Sequence, residues 1–180
     1  AFSNWAERRG YRPEHSNPCR LITKYKEQAR ERFLSIAELA ALGDVLRRSE
    51  AIWHTWQAKQ MRARLAGQRI SQADRPPLLV PPMAVAAIRL LLLTGARLNE
   101  ILTLQWEHVD LPNDMLRLPD SKTGAKTIML NAPAKALLEK LDRVEGNPYV
   151  IVGNLADKHL IGLQKIWERV RIAANLPDVR

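Results

Sequence analysis

The stretch LLLTGARLNEI, residues 91–101, sets a guanidinium and a carboxylate three residues apart directly behind an apolar run. Arg97 follows a Thr94-Gly95 turn, and Glu100 falls on the same side of the short helix that the turn opens. At a solvated helix end such a pair is an ordinary surface ion pair. On a rigid element it offers a planar donor fork to the non-bridging oxygens of an anion, with the carboxylate holding the fork in place. Lys122, in PDSKTGAK, is the second basic group on a firm scaffold, since it falls in the turn between two alternating runs. A lysine at a hairpin tip can reach into a backbone groove and deliver a proton to a leaving oxygen. Together these groups suit a phosphodiester.

Other chemistries find no support. Four histidines and one cysteine are scattered with no two at a metal-ligand spacing. HEXXH, P-loop and GxGxxG patterns are absent, and no serine sits in a nucleophile-elbow context. With Cys19 as the single cysteine, neither an intrachain disulfide nor a thiolate cluster can form, which fits a reducing cytoplasm. The longest apolar run, Met83 to Leu93, is interrupted by Arg89 and falls short of the ~20 residues a bilayer span takes, so no membrane partner is expected. The chain has 180 residues, is 46% hydrophobic and carries a formal net charge of +9. That supports one domain with a real core, plus a small appendage, and a polyanionic partner, most simply nucleic acid.

The elements that must position Arg97 and Lys122 can be placed from local signals. Residues 1–19 look like the end of a helix running into a Pro-containing turn. RLITKYKEQARERF follows as a basic linker or arm. Ser35 and Glu38 form an S-x-x-E capping box ahead of Leu39, Leu42 and Leu46. Residues 51–70 fit a basic helix, in which Trp53 and Trp56 either pack on the core, the reading taken here, or stack on bases. Four prolines in the seven residues 76–82 break any helix. Pro82 to Leu93 reads as a buried helix, Arg97 to Leu104 as a short one, and WEHVDL as a short strand. Leu116 and Leu118 alternate with Met115 and Arg117, and Ile128 and Leu130 with Thr127 and Met129, around Gly124, the signature of a β-hairpin. Ala134 to Leu141 and Leu160 to Ala174 carry the last two helical patterns, the final one amphipathic. The fold class is α+β, mostly α-helical, with a small three-stranded antiparallel sheet.

LLLLTGARLNEILTLQWEHVDL followed by LRLPDSKTGAKTIMLN resembles the catalytic domain of tyrosine recombinases, the phage-integrase family. The family pattern is T-G-x-R-x-x-E-[IL], then L-x-W-x-x-[VI]-D, then a strand-turn-strand carrying K-T. Here these are Thr94, Gly95, Arg97, Glu100, Ile101; Leu104, Trp106, Val109, Asp110; and Lys122, Thr123. NPC...RERFLSIAEL resembles the family's junction between core-binding and catalytic domains. The resemblance covers residues 17–50 and 82–180. It implies residues 1–30 as the end of a core-binding domain and basic linker, residues 31–180 as the N-terminal part of the catalytic domain, and 52–82 as an insertion.

By position, Arg97 resembles the first catalytic arginine, Glu100 the supporting acid, and Lys122 the lysine that protonates the departing 5′ oxygen. The family's nucleophile is a tyrosine that forms a 3′-phosphotyrosyl link, without metal or other cofactor. Its members act as tetramers on paired double-stranded DNA attachment sites, typically in prophages and mobile elements. The H-x-x-R box and the tyrosine that complete the family's site are not found before Arg180; Tyr11, Tyr25 and Tyr149 lie elsewhere. The expectation is therefore an inactive fragment of a recombinase whose backbone contacts come from Lys24, Lys26, Arg30, Arg32 and Lys126. The alternative is a non-catalytic DNA-binding module on the same fold. A third reading, an interaction protein with incidental charge, predicts no salt-sensitive DNA affinity.

Overall fold

The computed structural model describes residues 2–20, 22–23, 25, 32–119 and 124–179. They divide into two compact units, the first ending at Phe33 and the second beginning at Leu34. In the first unit, α1 (Phe2–Arg8) runs into Gly10 at a φ of 73° and then into the Pro13 turn.

The second unit opens with α2 (Ile36–Leu65). Ser35 caps it: its hydroxyl accepts from the Glu38 N–H, and the Glu38 carboxylate accepts from the Ser35 N–H at 2.8 Å. The helix buries Leu42, Val45, Leu46, Ser49 and Trp56, a stripe at three-, four- and seven-residue steps. It therefore crosses residue 52 without a break, and the expected insertion begins inside it. It stops at Leu65, short of the expected residue 70, where Gly67 takes a φ of 66°. The chain returns through residues 66–81, with a short 3-10 turn at Gln72–Asp74. Trp56 is buried and Trp53 half-buried, and both line the space beneath Ile70, Arg75 and Leu79 of the returning segment. Packing is thus the fate of these tryptophans.

α3 (Pro82–Thr94) starts on Pro82 at its first position, where a missing N–H costs nothing. It is the hub of the unit, contacting α2, α4 (Leu98–Leu102), α5 (Ala132–Glu139) and α6 (Leu163–Ala173). Ala84, Val85, Ala87 and Leu90 are at or near zero exposure, so small side chains let neighbouring helices approach closely. Arg89, the charge inside this apolar run, is matched by Glu50 of α2 through two bonds of 2.7 and 2.8 Å.

A three-stranded antiparallel sheet, ordered β1 (Val109–Asp110), β2 (Met115–Leu118), β3 (Lys126–Met129), lies between α4 and α5 in sequence. Leu116 pairs with Ile128 and Leu118 with Lys126. Leu116, Leu118, Ile128 and Leu130 are buried while Arg117, Thr127 and Met129 are exposed, which is the expected alternation. Tyr149 bridges Gln105 and stacks edge-on against His159 at 5.3 Å, so it ties a loop to the core. Among the described residues, no helix is long and apolar enough to cross a membrane.

Candidate phosphate-binding site

Local chemistry fixes where Arg97 stands. The Thr94 hydroxyl donates to the Leu90 carbonyl at 2.6 Å and accepts from the Ala96 N–H at 3.3 Å. Gly95 caps α3 in the left-handed region, with a φ of 62° and its N–H bonded to the Leu91 carbonyl. That conformation is disfavoured for a residue with a Cβ and is the common way to end a helix. The chain then reverses, and Arg97, extended at φ −72° and ψ 151°, becomes the cap of α4.

Glu100 closes this cap. One carboxylate oxygen accepts from the Arg97 backbone N–H at 2.9 Å, and the other from the Arg97 guanidinium at 3.0 Å. The Glu100 side chain is only 7% exposed, whereas that of Arg97 is 49% exposed. The carboxylate is thus a buried anchor, and the guanidinium is held at the surface by it. Ile101 and Leu102, both buried, seat the helix on the core beneath.

Lys126 joins the pair. Its ammonium lies 3.0 Å from the Glu100 carboxylate, which links β3 to α4. The sequence reading placed Lys126 among surface contacts to DNA and gave it no connection to Glu100. The signal was nonetheless present, since Lys126 shares the parity of Ile128 and Leu130 and so emerges on the core-facing side of the strand. Asn131 ties the far end of the hairpin back, donating to the Leu93 carbonyl at 2.9 Å.

Asp110, the acid of the second motif, is structural. Its carboxylate accepts from the Asn113 side chain at 2.9 and 3.0 Å and from the Arg117 guanidinium at 2.7 Å. It clasps the β1–β2 turn, in which Asp114 takes a φ of 53°. The bonds from Asn113, then those from Arg117, hold its carboxyl below the usual carboxylate range. Arg143 covers the ring of Trp106 at 4.8 Å, which accounts for the tryptophan of that motif as a packing residue.

Of the other expected residues, Arg32 is exposed in the first unit and donates to the Phe33 carbonyl at 2.6 Å. Lys122, Lys24, Lys26 and Arg30 lie outside the described residues. Among the described residues no cluster of histidine, cysteine and carboxylate side chains is arranged to hold a metal ion.

Two relatives are similar to about half of the chain. Over 103 residues, 54% of the chain, it is 31% identical to a prophage integrase, IntF, of Escherichia coli strain K12. Over 95 residues, 50% of the chain, it is 32% identical to a shufflon-specific DNA recombinase of Escherichia coli. Over about half of its length the chain is thus similar to a prophage integrase and to a DNA recombinase. The chain spans 22% and 23% of the length of these curated relatives. A crystal structure of XerA recombinase aligns over 91% of this chain and 49% of its own, with a TM-score of 0.48 and 15% identity. No family model matches the chain.

Proposed function

We propose that this chain is part of a site-specific DNA recombinase that cuts and rejoins double-stranded DNA through a 3′-phosphotyrosyl intermediate. The observation that carries the reading is the Arg97–Glu100 cap. A guanidinium stands at the surface on a rigid turn, and its supporting carboxylate is buried and bonded to the same residue's backbone. Such a preformed donor suits charge that builds up on a phosphate during substitution, because it needs no reorganisation at that moment.

In this reading Arg97 binds the non-bridging oxygens of the scissile phosphate. Glu100 fixes the orientation of the guanidinium. A tyrosine elsewhere in the parent protein attacks phosphorus through its phenolate oxygen. The bond to the 5′ oxygen breaks, and Lys122 supplies the proton that oxygen takes up. The reverse attack by a 5′ hydroxyl of a partner strand restores the phosphodiester and frees the tyrosine, so neither ATP nor a metal enters the balance. The 180-residue chain, without that tyrosine and the H-x-x-R box, binds DNA but does not cleave it. The parent assembles as a tetramer on paired attachment sites.

Backbone contacts come from Lys24, Lys26, Arg30, Arg32 and Lys126. Lys126 keeps two further N–H donors beside the one aimed at Glu100, since an ammonium has three. An apolar groove of about 420 Å³ between α3, α4 and α6, lined by Ile88, Leu91, Leu98, Leu163, Trp167 and Val179, is where the parent's later helices would seat.

The test uses the parent protein and a nicked suicide duplex carrying its attachment site. A covalent protein–DNA band on a denaturing gel is expected. Arg97→Ala should reduce it by about 10²–10³-fold, the scale for losing one such donor, while DNA binding persists. Salt-sensitive binding with no band on the verified native site would instead establish the non-catalytic DNA-binding module.

A further inference from the structure

Residues 51–81 carry five basic side chains, Lys59, Arg62, Arg64, Arg69 and Arg75, against one acid, Asp74. The catalytic reading gives this segment no task. All five basic side chains are exposed. They are also organised. The last turns of α2 and the returning segment enclose an open groove of about 680 Å³, lined by Thr55, Lys59, Arg62, Gln68 and Arg69. Lys59, Arg62, Ala63 and Ala66 follow one another at helical spacing along its α2 side.

Two simpler explanations account for part of this charge. Arg62 and Arg64 fall in the last turn of α2, where a cation offsets the negative end of the helix dipole. Lys59 is engaged by Asp74 at 3.5 Å and lies 5.7 Å from the Trp56 ring centroid. Neither explanation reaches Arg69 or Arg75, which lie beyond the helix on the returning segment. Trp56, buried beneath that segment, gives it a fixed seat, so the charges are displayed on structure and not on a loose loop.

We infer that this helical extension is a second DNA-backbone contact, with Lys59, Arg62 and Arg69 holding phosphates outside the segment engaged at Arg97. The partner is double-stranded DNA read through its phosphates, because the groove offers three cations, the Thr55 hydroxyl, the Gln68 amide and an Asp74 carboxylate engaged by Lys59, but no array suited to base edges. The inference rests on the DNA-binding reading above but not on cleavage.

The test measures the affinity of the 180-residue chain for a duplex of about 30 base pairs as salt rises from about 50 to 200 mM. The variant Lys59→Gln/Arg62→Gln/Arg69→Gln is compared with Lys140→Gln/Lys158→Gln/Lys165→Gln, which removes the same charge from exposed positions elsewhere. Each lost phosphate contact lowers the log–log salt slope by about 0.9, so the first variant should lose about 2–3 units of slope and the second much less. Asp74→Asn, which keeps an acceptor for the Ser71 N–H, should tighten binding by about 2–3-fold by removing the one opposing charge. It reports on the same groove even where the triple variant folds poorly. Equal slopes for the two triple variants, with no gain from Asp74→Asn, would overturn the inference alone. Loss of salt-sensitive binding in the unaltered chain would remove the DNA-binding reading with it.

Discussion

The Lys126 ammonium and the Glu100 carboxylate meet at 3.0 Å across 26 residues of sequence. This contact makes α4 and the β2–β3 hairpin one mechanical piece at the place where Arg97 is held. Glu100 also accepts from the Arg97 backbone N–H and from its guanidinium, so among the described residues one buried carboxylate engages both Arg97 and Lys126. Glu100→Gln should lower unfolding free energy by about 1.5–3 kcal/mol, the scale of hydrogen bonds to a charged group. Lys126→Met should cost less than about 1 kcal/mol, because its side chain is partly solvated and recovers little from a single pair. Urea midpoints at constant m-value measure both. Equal losses would mean that the shared Lys126–Glu100 contact carries the effect and that the bonds from Glu100 to Arg97 add nothing to stability.

Two glycines should fail for different reasons. At Gly95 an added Cβ meets nothing within 4 Å, but the φ of 62° strains any L side chain. Gly95→Ala should cost about 1–2 kcal/mol, and Gly95→Asn distinctly less, since Asn visits that region routinely. At Gly153 an added Cβ would sit 2.5 Å from the His159 carbonyl oxygen, which is backbone and cannot swing away. Gly153→Asn should therefore recover nothing relative to Gly153→Ala. Thermal melts of the four variants decide.

The Arg89–Glu50 pair is bidentate and about one-third exposed on each side. A double-mutant cycle with Arg89→Met and Glu50→Gln should give a coupling of about 1 kcal/mol, above the usual surface pair because both guanidinium bonds are aligned. A coupling near zero would assign Arg89 a packing role through its aliphatic stem.

Asp110 should contribute to acid lability. Its carboxyl is held below the usual range by Asn113 and then Arg117. A group whose folded pKa is depressed adds stability above its unfolded pKa and loses it as pH falls through the folded one. The thermal midpoint should therefore drop on acidification below the ordinary carboxylate range. Asp110→Asn should be less stable near neutrality and show a shallower acid limb. Parallel limbs would separate Asp110 from the acid transition.

Much of the scaffold was legible because its signals are local. The Ser35–Glu38 box, the glycine after Thr94, the apolar run of α3 and the alternation of β2 and β3 each act through hydrogen bonds or dihedral preferences spanning four residues or fewer. Arg97 and Glu100 were legible for the same reason, being one cap. The unbroken length of α2 was harder to read, because its second half is polar on most sides. Only Trp56, covered by a segment that returns some twenty residues later, reveals which face continues the core.

By itself, then, the sequence determined the order of elements, the turn that presents Arg97 and the carboxylate that holds it. Tertiary structure alone decided that Lys126 answers Glu100, that Glu50 neutralises the charge inside α3, and that Arg69 and Arg75 stand on a returning segment seated over Trp56. Those pairings span 26 and 39 residues or a chain reversal. No local preference encodes them, since which side chains meet depends on where packing of the apolar faces brings distant elements together.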